Sequence, residues 1–214
     1  MNSSPSISLS SIFSQAFEQT KRNFIAFLPL IVTIILIATY AANTYIGEID
    51  LSDETALAAL QQKANMVTLI SVLLTPIEIG FMLMGVKASR GLDLKATDIF
   101  AIIPSSPKII ILAILSFFVV QLGMALFILP GLFLLAMLSM AQPLMVDYRL
   151  SMVEAVKQSL KKCYEHAGIV IQMYTLLFIL IVASFFTFGI ALILTIPFYV
   201  NAKGILYCEL FDKQ

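Results

Sequence analysis

Two long apolar stretches constrain the fold of this chain more than any other feature. They cover residues 109–146 and 168–208, which is 38 and 41 residues, and the second contains a single charged side chain, that of Lys203. A straight helix of that length would extend about 57 Å, nearly twice the ~30 Å of hydrocarbon in a bilayer. Each stretch is therefore expected to fold back on itself as a hairpin of two membrane-spanning helices.

The positions of proline and glycine predict where these hairpins turn. Proline stops a helix and glycine permits unusual backbone angles, which favours turns at Leu129-Pro130-Gly131 and near Thr187-Phe188-Gly189. Lys203 is interpreted as a side chain that extends to the membrane interface. Two further apolar runs lie upstream. The prediction is an all-α integral membrane protein, a single membrane domain over 1–214, with six spans in three hairpins at 24–44, 65–86, 109–129, 131–146, 168–187 and 189–208.

The composition supports membrane insertion and excludes other classes of protein. Hydrophobic residues make up 60% of the chain and charged residues 12%, with a mean hydropathy of +0.97, whereas soluble proteins have about 25% charged residues. A soluble enzyme and a disordered regulator are excluded. With 13 basic and 13 acidic residues, no net charge attracts nucleic acid. Membrane lipids are the expected partners, a membrane-protein partner is the alternative, and the oligomeric state is left open.

The distribution of basic residues predicts the orientation in the membrane. Cytoplasmic loops carry an excess of lysine and arginine. In the six-span arrangement, 12 of the 13 basic residues fall on one side, and only Lys63 falls on the other. Both termini are therefore expected to be cytoplasmic.

A short amphipathic helix is predicted before each hairpin, at 8–22, 97–103 and 151–166. The first shows an apolar stripe of Leu9, Ile12, Phe13, Ala16 and Phe17, and the third shows one of Val153, Val156, Leu160 and Tyr164. Ser151 and Glu154 form a capping box for the third helix, and Thr97 is the expected cap of the second. Such helices are typical of the membrane interface. The other face of the third helix is a candidate site for anionic headgroups, formed by Lys157, Lys161 and Lys162.

One acidic residue, Glu78, lies deep inside a predicted span, two residues after Pro76. Ionisable residues inside a membrane usually face the protein interior or a wet cavity. Glu78 is therefore either part of a functional site or a hydrogen-bonded link between helices. Amide side chains in other spans extend the candidate intramembrane polar site, while their alternative role is to hold helices together: Gln121, Gln142 and Gln172, with Asn201 in the sixth span.

Motifs that support catalysis are missing from the sequence. There is no phosphate-binding loop, no Gly-x-Ser-x-Gly turn and no His-Glu-x-x-His pair, and His166 is the only histidine. We therefore expect no enzyme activity, no cofactor and no metal site. Two functions remain. One is the organisation of membrane partners or lipids, and the other is a small transporter or permease-like activity with a polar cavity around Glu78.

The region 108–174 resembles a family of bacterial inner-membrane proteins. The residues that carry the resemblance are Lys108 to Leu112, Val120 to Met124, Leu129-Pro130-Gly131, Ala141 to Val146, and the helix with Ser151, Ala155 and Ser159. They are similar to the YciC-like family, part of a wider set that resembles the membrane domain of some glycerophosphodiester phosphodiesterases. The resemblance implies a multi-spanning inner-membrane protein. It carries over no catalytic residue, and the soluble phosphodiesterase domain is absent from this chain.

Overall fold

The computed structural model describes residues 8–29, 31–33, 35–36, 39–40, 54–187 and 190–212, and all regular structure in this part of the chain is helical. The all-α prediction is thereby confirmed. Two 3-10 helices, Phe24–Phe27 and Ala96–Ser105, accompany eight described α-helices: α1 (Leu9–Asn23), α2 (Glu54–Ser89), α3 (Ser106–Leu126), α4 (Ile128–Leu138), α5 (Ala141–Asp147), α6 (Met152–Glu165), α7 (Ala167–Phe185) and α8 (Leu192–Phe211).

Four segments of the described chain are long and apolar enough to cross a membrane. They are Ile70–Ser89, Ala96–Leu126, Leu129–Asp147 and Ala167–Ser184, and they correspond to the second to fifth predicted spans. The predicted first span, 24–44, lies partly outside the described residues. The predicted sixth span forms α8. It is not among the four, because polar side chains such as Asn201, Lys203 and Glu209 lower its mean hydropathy.

The first predicted turn is displaced toward the N-terminus. α3 ends at Leu126, Phe127 has an extended backbone (φ −159°, ψ 149°), and α4 begins at Ile128. Pro130 and Gly131 therefore lie in the first turn of α4, where a proline removes no intrahelical hydrogen bond. The prediction of a turn at Leu129-Pro130-Gly131 is wrong by about one helical turn, but α3 and α4 do pack against each other as a hairpin.

The second predicted turn lies where it was expected. Residues 186–187 and 190–191 form turns, and the Ala191 N–H donates to Thr187 Oγ1 at 3.1 Å. Phe188 and Gly189 lie outside the described residues. The predicted fourth span is not one continuous helix, because a turn at Ser139 and Met140 separates α4 from α5.

Helices α2 and α8 form the centre of the fold and approach each other at two glycines. A Cβ atom on Gly204 would lie 2.6 Å from the backbone nitrogen of Val86, and one on Gly85 would lie 2.5 Å from the carbonyl oxygen of Val200. Only glycine at these two positions allows the backbones to come so close. The surrounding core of buried apolar side chains includes Ile79, Met82, Leu206 and Tyr207.

Helix α1 has the predicted amphipathic character. Ile12 and Ala16 are buried, whereas Gln15 and Glu18 on the other side are exposed. The helix packs mainly against α8. Its buried face is therefore a contact within the protein.

Helix α6 begins as predicted but buries a different face. The Ser151 hydroxyl accepts a hydrogen bond from the Glu154 N–H at 3.3 Å, and the Ser151 N–H donates to the Glu154 carboxylate at 3.1 Å, so the capping box is confirmed. In the predicted stripe, Val153 and Tyr164 are 63% and 69% exposed. The buried face consists of the smaller residues Ala155, Ser159 and Cys163.

Small side chains explain which face of α6 is buried. The Ser159 hydroxyl donates to the carbonyl oxygen of Met137 at 2.6 Å, a contact that requires α6 to lie close to the end of α4. Small residues permit such an approach, with Val156 and Leu160 partly buried beside them and Val153 and Tyr164 on the outer side.

The second predicted amphipathic segment is the 3-10 helix Ala96–Ser105. Thr97 does not cap it. Instead the Lys95 N–H donates to the Asp98 carboxylate at 2.9 Å, and the same carboxylate pairs with Lys87 at 2.7 Å. The carboxylate of Asp98 provides a charged acceptor, which binds an N–H more strongly than a threonine hydroxyl does.

Candidate functional site

A polar cavity of about 520 Å³ lies between the apolar helices. Its walls are formed by α2, α3, α4, α5, α7 and α8, together with Ser139 between α4 and α5. Volumes of about 300–1,000 Å³ are usual for small-molecule sites. The polar residues that line it are Ser71, Thr75, Glu78, Ser116, Ser139, Gln142, Tyr174, Tyr199 and Lys203.

Glu78 reaches this cavity from α2. Pro76 lies inside the helix and is itself buried, and the Thr75 hydroxyl donates back to the Ser71 carbonyl oxygen at 3.3 Å. A proline within a helix frees a carbonyl oxygen one turn earlier and can bend the helix there. The Glu78 side chain is exposed, as expected for a carboxylate that lines an open polar cavity.

Lys203 is the second charged residue of the cavity, and its position corrects the prediction that it extends to the interface. Its side chain is only 6% exposed, and its ammonium lies 5.8 Å from the centre of the Tyr199 ring, within range of a cation–π interaction. Lys203 immediately precedes Gly204, the residue of closest contact between α8 and α2. This contact fixes the rotation of α8 and holds Lys203 on the inner side of the bundle.

Two hydroxyl groups of the cavity lining have no hydrogen-bond partner of ordinary geometry in the described part of the chain. They are Tyr174 Oη and Ser116 Oγ, and both atoms are buried. The Lys203 ammonium and the Ser139 hydroxyl nevertheless lie beside the Tyr174 hydroxyl, close enough for weak hydrogen bonds with it. Buried polar groups are rarely left unsatisfied in native proteins, so these two hydroxyls mark a part of the cavity wall where polar interactions are incomplete.

The structure brings together only part of the predicted intramembrane site. Glu78 and Gln142 both line the cavity, as the sequence analysis anticipated. Gln121 and Gln172 do not line it and are exposed on the outside of α3 and α7. Since each residue turns a helix by about 100°, Gln121 points away from the wall residue Val120 that precedes it.

Asn201 has a structural role at another place. Its Nδ2 donates to the Thr20 hydroxyl at 3.0 Å, and both residues are buried. This hydrogen bond joins α8 to α1. It corresponds to the linking role that the sequence analysis gave to amide side chains.

The candidate headgroup-binding lysines lie on the open side of α6. Lys157 and Lys161 are exposed, and Lys162 is half-buried and 3.7 Å from the Glu165 carboxylate. Lys157 and Lys161 lie away from the buried Ala155, Ser159 and Cys163, on the same side as the exposed Val153 and Tyr164 and not on the face opposite that stripe. Their binding of anionic headgroups stays a prediction.

A charged network at the ends of three helices was missed by the sequence analysis. Arg90, directly after α2, donates two hydrogen bonds to Asp147 at 2.9 and 2.6 Å and two to Asp212 at 2.8 and 2.9 Å. Tyr148 donates to Asp212 at 2.8 Å, and Tyr207 donates to Asp147 at 2.9 Å. The network therefore joins the ends of α2, α5 and α8.

Local turns place these charges beside each other. α2 ends at Ser89, and Gly91 beyond it has a left-handed backbone (φ 74°). The Gly91 N–H donates to the Ala88 carbonyl oxygen and the Leu92 N–H to that of Lys87, a glycine C-cap that leaves Arg90 outside the helix. Hydrogen bonds from the Arg90 guanidinium hold the pKa of the Asp212 carboxyl below its usual range. Burial and the hydrogen bond to Asp212 raise the pKa of Tyr148 to about 12.

Metal and cofactor sites were also considered. In the described ranges, no three His, Cys, Asp or Glu side chains lie close enough together to hold a metal ion. A second, smaller cavity of about 210 Å³ lies beside the Lys87–Asp98 ion pair. The 520 Å³ cavity, which contains two opposite charges and two buried hydroxyls, is thus the strongest candidate site.

Comparison with known proteins adds no functional information. No protein-family model, no curated protein and no solved structure matches this chain.

Proposed function

We propose that this protein is a small permease-like membrane protein that binds a polar solute in the 520 Å³ cavity. The observation that carries the proposal is the presence of Glu78, Lys203 and two buried hydroxyls in one cavity, which is lined by α8 and by all four segments that are apolar enough to span a membrane. Charged side chains inside membrane proteins are costly and usually mark a path or binding site for a substrate. The reaction is binding and passage, with no catalytic step.

The proposal includes a bacterial inner-membrane location with six spans and both termini in the cytoplasm. The basic residues of the sequence support this orientation. The Arg90 network supports it as well, because it gathers the ends of α2, α5 and α8 at one polar end of the bundle. The resemblance to the YciC-like family agrees with this location.

The test is the accessibility of position 78 to a polar, membrane-impermeant thiol reagent. Glu78→Cys is made in a variant whose Cys163 and Cys208 are replaced by alanine, and the full chain is labelled in membrane vesicles. Leu73→Cys is the matched control, because Leu73 lies on the same helix and is 56% exposed but does not line the cavity. We expect position 78 to react at least about ten times faster than position 73, since thiolates form readily only in a wet environment.

The outcome that would contradict the proposal is equally clear. If Glu78→Cys reacts no faster than Leu73→Cys from either side of the membrane, the cavity is not connected to water and a permease function is excluded. Added solute should slow the labelling of position 78 and leave position 73 unchanged.

The second candidate function is the organisation of membrane partners or lipids. It is favoured by the outer side of α6, where Val153 and Tyr164 are highly exposed beside Lys157 and Lys161. Apolar and basic residues on one helix surface are typical of binding to an anionic membrane. The two functions are separated by mass spectrometry of lipids and proteins that co-purify in native lipid discs. An organising role predicts that replacing Lys157 and Lys161 by glutamine changes the co-purified set and that Glu78→Gln does not.

A further inference from the structure

The two charged residues of the cavity do not neutralise each other directly. In the described part of the chain, neither Glu78 nor Lys203 belongs to any ion pair within 4.0 Å. The two charges are nevertheless near enough to interact electrostatically. The cavity therefore presents an anionic and a cationic group that face a common space and are separated from each other.

The cationic side of the cavity is equipped to hold an anion. Lys203 is almost fully buried on α8, and the Tyr174 hydroxyl on α7 lies beside its ammonium group. An ammonium and a phenolic O–H both donate hydrogen bonds, and charge-assisted hydrogen bonds to an anion are the strong kind. An anionic group of a ligand would receive donors from two helices here.

The anionic side is equipped to hold an amine. The Glu78 carboxylate accepts hydrogen bonds only, so its natural partner is a cationic donor such as a primary ammonium group. Gln142, which lines the same cavity from α5, provides an additional amide oxygen as an acceptor.

We propose that the cavity binds a small zwitterion, whose anionic group contacts Lys203 and Tyr174 and whose primary amine contacts Glu78. This inference rests on the proposed permease-like function and names its class of substrate. A simple cation would be repelled by Lys203, and a simple anion would be repelled by Glu78. A neutral solute would leave both charges without a partner, which is costly in a partly dehydrated site.

Two sources supply this chemistry, a free amino-phosphate or amino-acid solute and the headgroup of a zwitterionic phospholipid. Two of the lining side chains, Phe117 and Leu135, are 39% and 45% exposed, so the cavity opens to the surface of the described bundle beside α3 and α4. That surface consists of apolar side chains. A headgroup could enter from the membrane by this route as well as a solute from water.

The experiment measures the binding of three probes to the full-length protein purified in an uncharged detergent. O-Phosphoethanolamine carries both charges, glycerol 3-phosphate lacks the amine, and ethanolamine lacks the anion. For the unaltered protein we expect phosphoethanolamine to bind at least about ten times more tightly than either other probe, since a partly buried charge pair commonly contributes more than the 1.4 kcal/mol that a tenfold change requires.

Variants assign the two ends of the ligand. Glu78→Gln removes the partner of the amine, so it is expected to remove the preference for phosphoethanolamine over glycerol 3-phosphate. Lys203→Gln removes the partner of the anionic group, so it is expected to weaken the binding of both of these probes about tenfold or more. Lys203→Arg keeps the positive charge, so it is the control that separates the loss of charge from misfolding. Lys108→Gln is the matched control, since it removes an exposed lysine outside the cavity, and it should change no probe more than about twofold.

The lipid source is tested in parallel in discs of phosphatidylethanolamine or phosphatidylglycerol. If the ethanolamine lipid competes with free phosphoethanolamine and the glycerol lipid does not, the headgroup is a ligand, and no competition by either lipid indicates a free solute. Both results support a zwitterion site. Equal binding of phosphoethanolamine and glycerol 3-phosphate by the unaltered protein, or a preference that survives Glu78→Gln, would overturn it. In that case rapid labelling of Glu78→Cys would still support the permease-like function.

Discussion

The contact between Gly85 and Gly204 allows a quantitative prediction. A Cβ atom added at Gly204 would lie 2.6 Å from the Val86 backbone nitrogen, whereas ordinary contacts of this kind begin near 3.4 Å, so α2 and α8 would have to separate by about 0.8 Å. The obstacle is backbone, which cannot rotate away as a side chain does. A gap of this size loses about a quarter to a half of the dispersion energy of each contact along the seam.

Gly204→Ala should therefore be strongly destabilising. Overpacking usually costs about 1–3 kcal/mol, and we expect a loss at the upper end, about 3 kcal/mol, because neither helix can adapt locally. Gly168→Ala is the matched control, since a Cβ there meets nothing within 4 Å. It should leave stability unchanged or raise it by up to about 1 kcal/mol through helix propensity.

The assay is reversible unfolding of the purified protein in mixed detergent micelles, followed by circular dichroism. Gly85→Ala should resemble Gly204→Ala. The double variant should cost less than the sum of the two, because the helices separate only once. A Gly204→Ala variant within about 0.5 kcal/mol of Gly168→Ala would refute the inferred close approach of α2 and α8.

Three other perturbations test the charged groups. Arg90→Lys keeps the charge but loses the paired hydrogen bonds, so it should destabilise the folded protein by about 1–2 kcal/mol. This value is smaller than that for a fully buried pair because the Arg90 side chain is 32% exposed. The pKa of the Asp212 carboxyl is lower in the folded protein than in the unfolded chain. Its contribution to the free energy of unfolding is therefore full above the unfolded pKa of about 4 and is lost as pH falls from there through the lower folded pKa. Unfolding between pH 5 and 3 should therefore show a smaller pH dependence in Asp212→Asn than in the unaltered protein. Lys203→Met should leave stability unchanged or increased while abolishing the binding of anionic probes, and a large loss of stability would instead indicate that Lys203 is structural.

The sequence predicted the elements whose cause is local. Apolar length identified the four segments that can cross a membrane, and the spacing of Ser151 and Glu154 identified the start of α6. Both follow from residues that are adjacent or one turn apart. The turn at Phe127 was not predicted, because no residue type marks an extended residue within an apolar run, and the Pro-Gly pair that follows was mistaken for the turn itself.

The orientation of individual helices could not be predicted for a physical reason. In water an apolar stripe must face the protein, but in a membrane lipid and protein interior are equally apolar, so hydrophobicity does not say which side is buried. At α6 the close approach to Met137 selects the buried face, so the small residues are buried in place of Val153 and Tyr164. A search for spaced small residues would have found the buried face of α6 and the Gly204 contact.

The burial of Lys203 is best explained by function. A lysine placed at the centre of a membrane helix costs about 2.5–3.5 kcal/mol, and a long side chain avoids the cost when it can reach the interface. Lys203 does not take that route, and no carboxylate in the described chain lies within 4.0 Å of it. The Tyr199 ring at 5.8 Å offsets only about 0.5–2 kcal/mol. The Tyr174 hydroxyl and the more distant Glu78 charge add to this, but neither replaces a direct ion pair, so a bound anionic group beside Lys203 would complete its pairing.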